Sequence, residues 1–257
     1  MRDLAPAMLL DPPAPVRLTP RRPPPPIARS PAQQTYSIIL PTDDRQVVGN
    51  VSVAPWSGLV RIVASTGAAQ EQGTGFLVSP TWVLTAAHVL DAGGVAPVIG
   101  INFADGSFTS ADILPYPPWR SAPAIGNDIV LLRARSPAPA GAFVFTPLAV
   151  EDAWLAALKG ARNGVHVAGY PASTGGSLEA AAGPVVSWSS SIIQHDVDTT
   201  QGQSGGPLFY AAPAATYVIG VHGHGDIGDV ARPGVHNRAA RLTQAAVSWI
   251  TAAIAQG

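Results

Sequence analysis

One serine in this 257-residue chain lies among residues that suit acyl transfer. Ser204 stands in the run Gln-Gly-Gln-Ser-Gly-Gly-Pro at positions 201–207. Gly202 leaves the backbone unobstructed, so its N–H and that of Ser204 could converge on the oxyanion that forms when the hydroxyl attacks a carbonyl. A serine hydroxyl is a weak nucleophile unless a base adjoins it. The run alone is equally compatible with an ordinary glycine-rich turn, so its meaning depends on the partners of Ser204.

Two upstream segments offer a base and an acid. His88 follows a β-rich run at 81–87, where a strand would deliver a side chain to a site. Asp128 heads an apolar strand at 129–132, and a carboxylate that enters a core usually has a partner there. A carboxylate held against one imidazole nitrogen fixes the tautomer, so that the other nitrogen can take a serine proton. Each residue alone could be structural, but the order His88, Asp128, Ser204 indicates a nucleophilic site.

Three motifs around these residues resemble those of the chymotrypsin-like serine proteases. They are Thr85-Ala86-Ala87-His88, Asn127-Asp128-Ile129 and Gly202-Gln203-Ser204-Gly205-Gly206-Pro207. The resemblance implies an all-β fold of two six-stranded antiparallel β-barrels with a C-terminal α-helix. It also implies an endopeptidase that works through an acyl-enzyme, with Ser204 as nucleophile, His88 as base and Asp128 as the acid that orients it. The amides of Gly202 and Ser204 would form the oxyanion hole.

Two rival functions use similar residues. The nucleophile elbow of α/β hydrolases also carries Gly-x-Ser-x-Gly, but it needs a helix directly after the serine, then an acid and a histidine downstream. Pro207 and the strand-like residues 208–210 oppose such a helix. The downstream candidates Asp226, Asp229 and His236 lie too close together in sequence for the sheet that would separate them. A non-catalytic binding module on the chymotrypsin-like fold remains the other alternative, which the complete set of three residues disfavours.

The composition favours a globular β protein that acts on peptides. The chain is 47% hydrophobic, and short β-branched runs alternate with Gly and Pro. A net charge of −1 with 12% charged residues gives no footprint for nucleic acid. No run approaches the roughly 18 apolar residues of a membrane span. Cysteine is absent, and His222, His224 and His236 lack a recognised metal-ligand spacing. We therefore expect a polypeptide substrate, no cofactor, no metal and a monomer.

The chain divides into a proline-rich start and a protease-like body. Residues 1–37 carry ten prolines and no apolar periodicity, so we expect a disordered propeptide or linker. We assign residues 38–257 to the protease domain, with an N-terminal barrel over about 47–136 and a C-terminal barrel over about 142–238. Leucine, alanine, tryptophan and isoleucine at helical spacing predict an amphipathic terminal helix over about 239–255.

Eleven strands are predicted from β-branched runs and turn residues. Those of the first barrel are 59–63, 75–78, 82–85, 98–103 and 129–133, and those of the second are 165–170, 183–188, 191–197, 207–210, 217–222 and 235–237. The first residues of the chain are too short and too interrupted by proline for a secretory signal. We nevertheless expect a secreted or extracytoplasmic protein, exported by means not visible in this chain.

Two interpretations of the specificity pocket remain open. In the family, the pair Asp198-Thr199 would floor the pocket for the residue before the scissile bond, and an ionised Asp198 facing it would favour Lys or Arg. His222 and Gln203 instead resemble the glutamyl endopeptidases, the bacterial Glu-specific branch. A protonated His222 and the Thr199 hydroxyl would give a substrate carboxylate charge-assisted hydrogen bonds. We favour Glu or Asp before the scissile bond, which requires Asp198 to point away from the pocket.

The segment 38–45 resembles the mature start of the glutamyl endopeptidases. In that branch the processed N-terminus lies near the pocket, so the resemblance implies that the amino group of Ile38 helps to bind substrate. We therefore predict that cleavage between Ser37 and Ile38 completes the pocket and that residues 1–37 keep a zymogen latent. N-terminal sequencing of active protein should find Ile38 first, whereas full activity with residues 1–37 attached would contradict the prediction.

Overall fold

Strands dominate the part of the chain that the structure describes. A computed structural model describes residue 39 and residues 42–66, 70–90, 97–212, 215–225 and 236–256. The predicted proline-rich segment 1–37 and Ile38 lie outside the described residues. The first strand, β1 (Gln46–Val47), precedes two β structures that follow one another along the chain.

The first of these structures is a closed barrel of six antiparallel strands. They are β2 (Leu59–Ser65), β3 (Gln70–Leu77), β4 (Trp82–Thr85), β5 (Val98–Asn102), β6 (Phe108–Pro115) and β7 (Val130–Ala134), joined in the order β2-β3-β4-β7-β6-β5. Strand side chains alternate between the two faces of a sheet, and in β2 the buried set includes Val60, Ile62 and Ala64. Five of these strands are predicted from the sequence, whereas β6 is missed because its side chains are mostly polar or exposed.

The second structure is a nine-stranded curled sheet. Besides β1 it contains β8 (Thr146–Pro147), β9 (Val165–Gly169), β10 (Glu179–Gly183), β11 (Val185–Trp188), β12 (Ile192–His195), β13 (Pro207–Ala212), β14 (Ala215–His224) and β15 (Asn237–Arg241). The order is β1-β10-β9-β13-β14-β15-β12-β11, with β8 beside β14. Only Pro184 separates β10 from β11, although these strands stand towards opposite ends of the order. The sheet therefore curls round, so that β10 and β11 form one extended segment that joins its two ends.

The predicted all-β, chymotrypsin-like architecture with a terminal helix is confirmed, but the second structure is a nine-stranded curled sheet rather than a six-stranded barrel. Its predicted strand at 183–188 is in fact two strands, since Pro184 cannot donate to the ladder. The alanine-rich strand Glu179–Gly183 carries little β-propensity and is not predicted. The short strands β1 and β8 extend the edges, so β1 belongs by pairing to the second sheet rather than to the first barrel.

Three α-helices complete the described part of the chain. They are α1 (Pro117–Ser121), α2 (Asp152–Leu158) and α3 (Gln244–Ala255). The predicted start of the terminal helix at 239 is wrong, because Ala239 and Ala240 pair with β12 and β14 inside the sheet. The hydroxyl of Thr243 instead caps α3 by accepting from the N–H of Ala246 at 3.2 Å. No helix among the described residues is long and apolar enough to cross a membrane.

Two buried apolar clusters form the cores of the two structures. The larger one fills the first barrel and continues across to α3, where Ile250 is 1% exposed and Trp249 stacks at a tilt on Tyr116 with ring centroids 5.1 Å apart. The second fills the curled sheet around Val165 and Ile219. The terminal helix thus packs towards the first barrel.

Candidate active site

The predicted catalytic side chains come from the ends of elements in both structures. His88 lies in a short 3₁₀ helix, Ala87–Leu90, that follows β4. Asp128 directly follows a second 3₁₀ helix, Ile125–Asn127, and precedes β7. Ser204 stands in the loop between β12 and β13. The histidine and the aspartate therefore belong to the first barrel, and the serine belongs to the second sheet.

Asp128 holds His88 at two points. Its Oδ2 lies 2.5 Å from Nδ1 of His88, and its Oδ1 accepts from the backbone N–H of His88 at 2.9 Å. This arrangement favours the tautomer with the proton on Nδ1, which leaves Nε2 able to accept a proton. Burial raises the pKa of the Asp128 carboxyl, but the charge of His88 and hydrogen bonds from His224 and His88 outweigh it and hold that pKa well below its ordinary value. Asp128 is therefore ionised at neutral pH.

Ser204 and His88 approach each other around one glycine of β14. Ser204 is 9% exposed, and its Oγ lies 3.5 Å from the carbonyl oxygen of Gly223. A Cβ added to Gly223 would lie 3.2 Å from Cε1 of His88 and 3.1 Å from Oδ2 of Asp128, so a glycine leaves the imidazole its room. The structure thus brings Ser204, His88 and Asp128 together at Gly223.

A buried threonine fastens the serine loop to the first barrel. The N–H of Thr74 in β3 donates to the carbonyl oxygen of Ser204 at 2.8 Å. Its hydroxyl donates to the carbonyl oxygen of Gly202 at 2.8 Å and accepts from the N–H of Tyr170 at 2.9 Å. Thr74 is fully buried, so water cannot take its place as the hydrogen-bond partner of these backbone groups. Sequence reasoning missed Thr74, because no local motif marks a residue that acts by contact across two sheets.

The serine loop requires two glycines and leaves two amides available. Gly202 has φ +97° and Gly205 has φ +87°, in the left-handed region that favours glycine. A Cβ on Gly202 would lie 2.5 Å from the carbonyl oxygen of Tyr170, and one on Gly205 would overlap the carbonyl oxygen of Thr74. Among the described residues no acceptor takes the N–H of Gly202 or of Ser204. Both N–H groups are therefore available as hydrogen-bond donors.

Three polar side chains near the serine loop are buried without a hydrogen-bond partner for at least one of their atoms among the described residues. They are the hydroxyl of Thr199, both ring nitrogens of His222 and Nε2 of His195, on residues at most 1% exposed. The backbone of His222 bonds to Gly205 and Gly206 next to Ser204, and its ring lies 5.3 Å from that of His195. Each such unpaired group costs about 1–3 kcal/mol. A ligand that supplied partners would recover that cost.

Without a substrate, the surroundings of His222 favour its neutral form. Burial is the main cause that holds the pKa of His222 well below its ordinary value, and three neighbouring histidines add to it, namely His195, His224 and His88. Burial, followed by the charge of His236, lowers the pKa of His195 to about 3. The ring of His222 is therefore neutral in the substrate-free protein rather than protonated. It still offers one N–H donor to a ligand.

Asp198 is engaged by the segment that precedes β1. Its Oδ2 accepts from the backbone N–H of Asp44 at 2.9 Å, and the residue is 1% exposed. The guanidinium of Arg45 interacts with Asp198 electrostatically and lies 3.0 Å from Oε2 of Glu179. The carboxylate of Asp198 is thus bound to the chain itself. Ile38, the predicted new terminus, lies outside the described residues, six positions before Asp44.

The site contains one residue that the sequence analysis treated as structural. His224 Nε2 lies 2.7 Å from Oδ2 of Asp128. His88, Asp128 and His224 form a group whose ligand atoms all lie within 4.8 Å of one another, as a metal site would require. Direct hydrogen bonds between these side chains account for that proximity. The glycine between His222 and His224 is the signal that could have been used, because a glycine inside a strand often marks a bulge that redirects side chains.

Comparison with known proteins gives one family and one fold. The family model described as a trypsin-like peptidase domain matches residues 73–221. A glutamyl endopeptidase of Bacillus licheniformis is 28% identical over 239 residues, which is 84% of this chain and 69% of that protein. A solved structure of a Glu endopeptidase in complex with MPD superposes with a TM-score of 0.71 at 19% identity, over 85% of this chain and 100% of that chain.

Proposed function

Because the chain belongs to the trypsin-like peptidase family, and is therefore a serine endopeptidase, we propose that it cleaves polypeptides after acidic residues with Ser204 as its nucleophile. The predicted resemblance to chymotrypsin-like proteases near the glutamyl endopeptidase branch is confirmed, and so is the predicted enzyme class. The roles of individual residues and the acidic preference are the proposal.

The proposed reaction uses His88 twice. Nε2 of His88 takes the proton of the Ser204 hydroxyl while Oγ attacks the substrate carbonyl, and the amides of Gly202 and Ser204 bind the resulting oxyanion. His88 then gives its proton to the leaving amine, and the C–N bond breaks to leave an ester on Ser204. A water molecule loses a proton to His88 and attacks that ester. The proton returns to Ser204 as the acid product leaves, while Asp128 stabilises the imidazolium in both halves.

The unpaired hydroxyl of Thr199 and ring of His222 carry the proposed acidic preference. Both groups can donate to a carboxylate, which has two oxygens and accepts only. A neutral His222 beside a bound carboxylate gains affinity for a proton, because the negative charge reverses the effect that burial has on its pKa. Asp198, the group that would favour Lys or Arg, already accepts from the N–H of Asp44 near Arg45. The name of the Bacillus relative supports the same preference.

A peptide series tests this preference directly. Peptides that differ only in Glu, Gln, Asp, Lys or Phe before the scissile bond are compared by kcat/KM. We expect Glu to exceed its near-isostere Gln by roughly 10- to 100-fold, the worth of one or two hydrogen bonds to a charged group. The variant His222→Leu should remove most of this ratio. His166→Leu is the matched control, because His166 is also a buried histidine of the second sheet, stacked on Phe209 with ring centroids 5.3 Å apart.

A preference for Lys over Glu would contradict the proposed preference for acidic residues and would indicate that Asp198 determines the specificity. A Glu to Gln ratio that survives in His222→Leu would contradict the role of His222 alone.

Processing of the start of the chain is the second part of the proposal. Residues 44–47 lie along the second sheet, where β1 pairs with β10 and the N–H of Asp44 donates to Asp198, the neighbour of Thr199. An amino group released a few residues earlier could reach the same region. We retain the proposal that cleavage before Ile38 activates the protein, and the N-terminal sequencing described above tests it.

A further inference from the structure

The reaction proposed above leaves one histidine of the site without a task. His224 Nε2 lies 2.7 Å from Oδ2 of Asp128, the same oxygen that Nδ1 of His88 approaches at 2.5 Å. The rings of His88 and His224 are tilted with centroids 4.8 Å apart. The side chain of His224 is 17% exposed and that of Asp128 is 1% exposed. Two imidazoles therefore share one buried carboxylate oxygen.

A β-bulge explains how His224 reaches Asp128. In the ladder between β14 and β15, His222 pairs with Ala239 and His224 pairs with Arg238, so Gly223 is the extra residue. A bulge bends its strand and redirects the side chains that follow. Gly223 itself has no side chain to donate, and a Cβ there would lie 3.1 Å from Oδ2 of Asp128. His224 is the next position along the strand.

We propose that His224 is a positioning residue for peptide hydrolysis, which donates from Nε2 to Asp128 and thereby fixes the carboxylate and moderates the basicity of His88. This inference rests on the proposed roles of His88 and Asp128. It assigns His224 no covalent step, and the proton still moves only among Ser204, His88, the leaving amine and water.

The hydrogen bond from His224 acts on His88 in two ways. It pins the rotamer of a buried carboxylate that would otherwise have donors from His88 alone, so the imidazole keeps its direction towards Ser204. It also draws negative charge away from Oδ2, which weakens the stabilisation of a protonated His88. Removal of the donor should therefore make His88 easier to protonate.

The titratable groups near this cluster include His222, on the same strand, and His195, on β12 behind it. Burial is the main cause that holds the pKa of His222 well below its ordinary value and lowers that of His195 to about 3, so neither ring favours a proton in the substrate-free protein. Asp128 is ionised at neutral pH, because its pKa is held well below its ordinary value despite burial.

Two variants of the full, active protein separate positioning from mere packing. His224→Phe keeps a ring of similar size without a donor, whereas His224→Gln restores an N–H donor on a different skeleton. For His224→Phe we expect kcat to fall about 10- to 100-fold, the worth of a hydrogen bond to a charged group, with KM little changed. The acidic limb of its kcat/KM profile should move to higher pH. His224→Gln should recover most of kcat and return the limb towards that of the wild type.

The controls keep the test decisive. His166→Leu removes another histidine of the second sheet and should leave the pH profile in place, and thermal melting shows whether each variant is folded. His224→Leu serves instead of the phenylalanine variant if the latter does not fold. Equal losses in the donor-free and glutamine variants with an unmoved acidic limb would overturn the proposal, and so would full activity without a donor. A wild-type protein that hydrolyses none of the peptides would instead overturn the proposed function itself.

Discussion

Replacement of Ser204 by alanine is expected to lower kcat by about a millionfold, to the level that binding and the oxyanion donors sustain alone. The methyl group cannot form the acyl-enzyme, and the loop should keep its shape because its anchors do not use the hydroxyl. Thr74 binds the carbonyl oxygens of Ser204 and Gly202, and both remain in the variant. Steady-state and single-turnover assays on a Glu peptide measure the loss.

Ser248→Ala is the matched control for that substitution. Ser248 lies exposed on α3, away from the cleft, so its loss should change kcat by less than twofold, within the effect of a neutral surface change. A Ser204→Ala protein that retained a tenth of the wild-type rate would show that another group attacks the substrate.

Replacement of Asp128 by asparagine is expected to lower kcat by about ten-thousandfold. The carboxylate accepts from His88 at both oxygens and from His224 at one, whereas an amide has a single acceptor oxygen and adds two donors. The amide N–H₂ would favour the His88 tautomer with the proton on Nε2, which cannot accept from Ser204. The imidazolium would also lose its buried counter-charge.

The pH–rate profile and a surface control identify the cause of that loss. Asp105→Asn removes an exposed carboxylate that bonds to Ser107 in a turn, and it should leave kcat unchanged. Tenfold or smaller loss in Asp128→Asn, with the protein folded, would contradict the role of Asp128 as the orienting acid.

The sequence predicts those strands and helices that a continuous run of residues of one type marks. The strand Trp82–Thr85 was predicted with its observed bounds, because a β-rich run ends abruptly in small residues there. Strand β6 and the alanine-rich strand β10 were missed, since neither shows apolar alternation and both depend on their neighbours for pairing. The start of helix α3 is predicted five residues too early, because alanines suit either element and only their pairing in the sheet decides between them.

The residues of the site also differ in how clearly the sequence marks them. His88, Asp128 and Ser204 stand in recognisable motifs, so their juxtaposition around Gly223 could be anticipated from the sequence. The role of Thr74 could not be anticipated, because its hydrogen bonds to Ser204, Gly202 and Tyr170 join residues distant in sequence. His224 depends on a one-residue bulge, which shifts the register of a strand and has only a glycine as its signal. The neutral state of a buried histidine likewise depends on packing rather than on composition.

Inactivation by a matched pair of peptidyl diphenyl phosphonates, one with Glu and one with Lys at the reactive position, tests the nucleophile and the pocket in one measurement. Rates of inactivation are followed by residual activity, and the adduct is located by mass spectrometry. We expect a single adduct on Ser204 and a rate of inactivation at least about tenfold higher with the Glu reagent than with the Lys reagent. No adduct on Ser204, or a faster reaction with the Lys reagent, would contradict it.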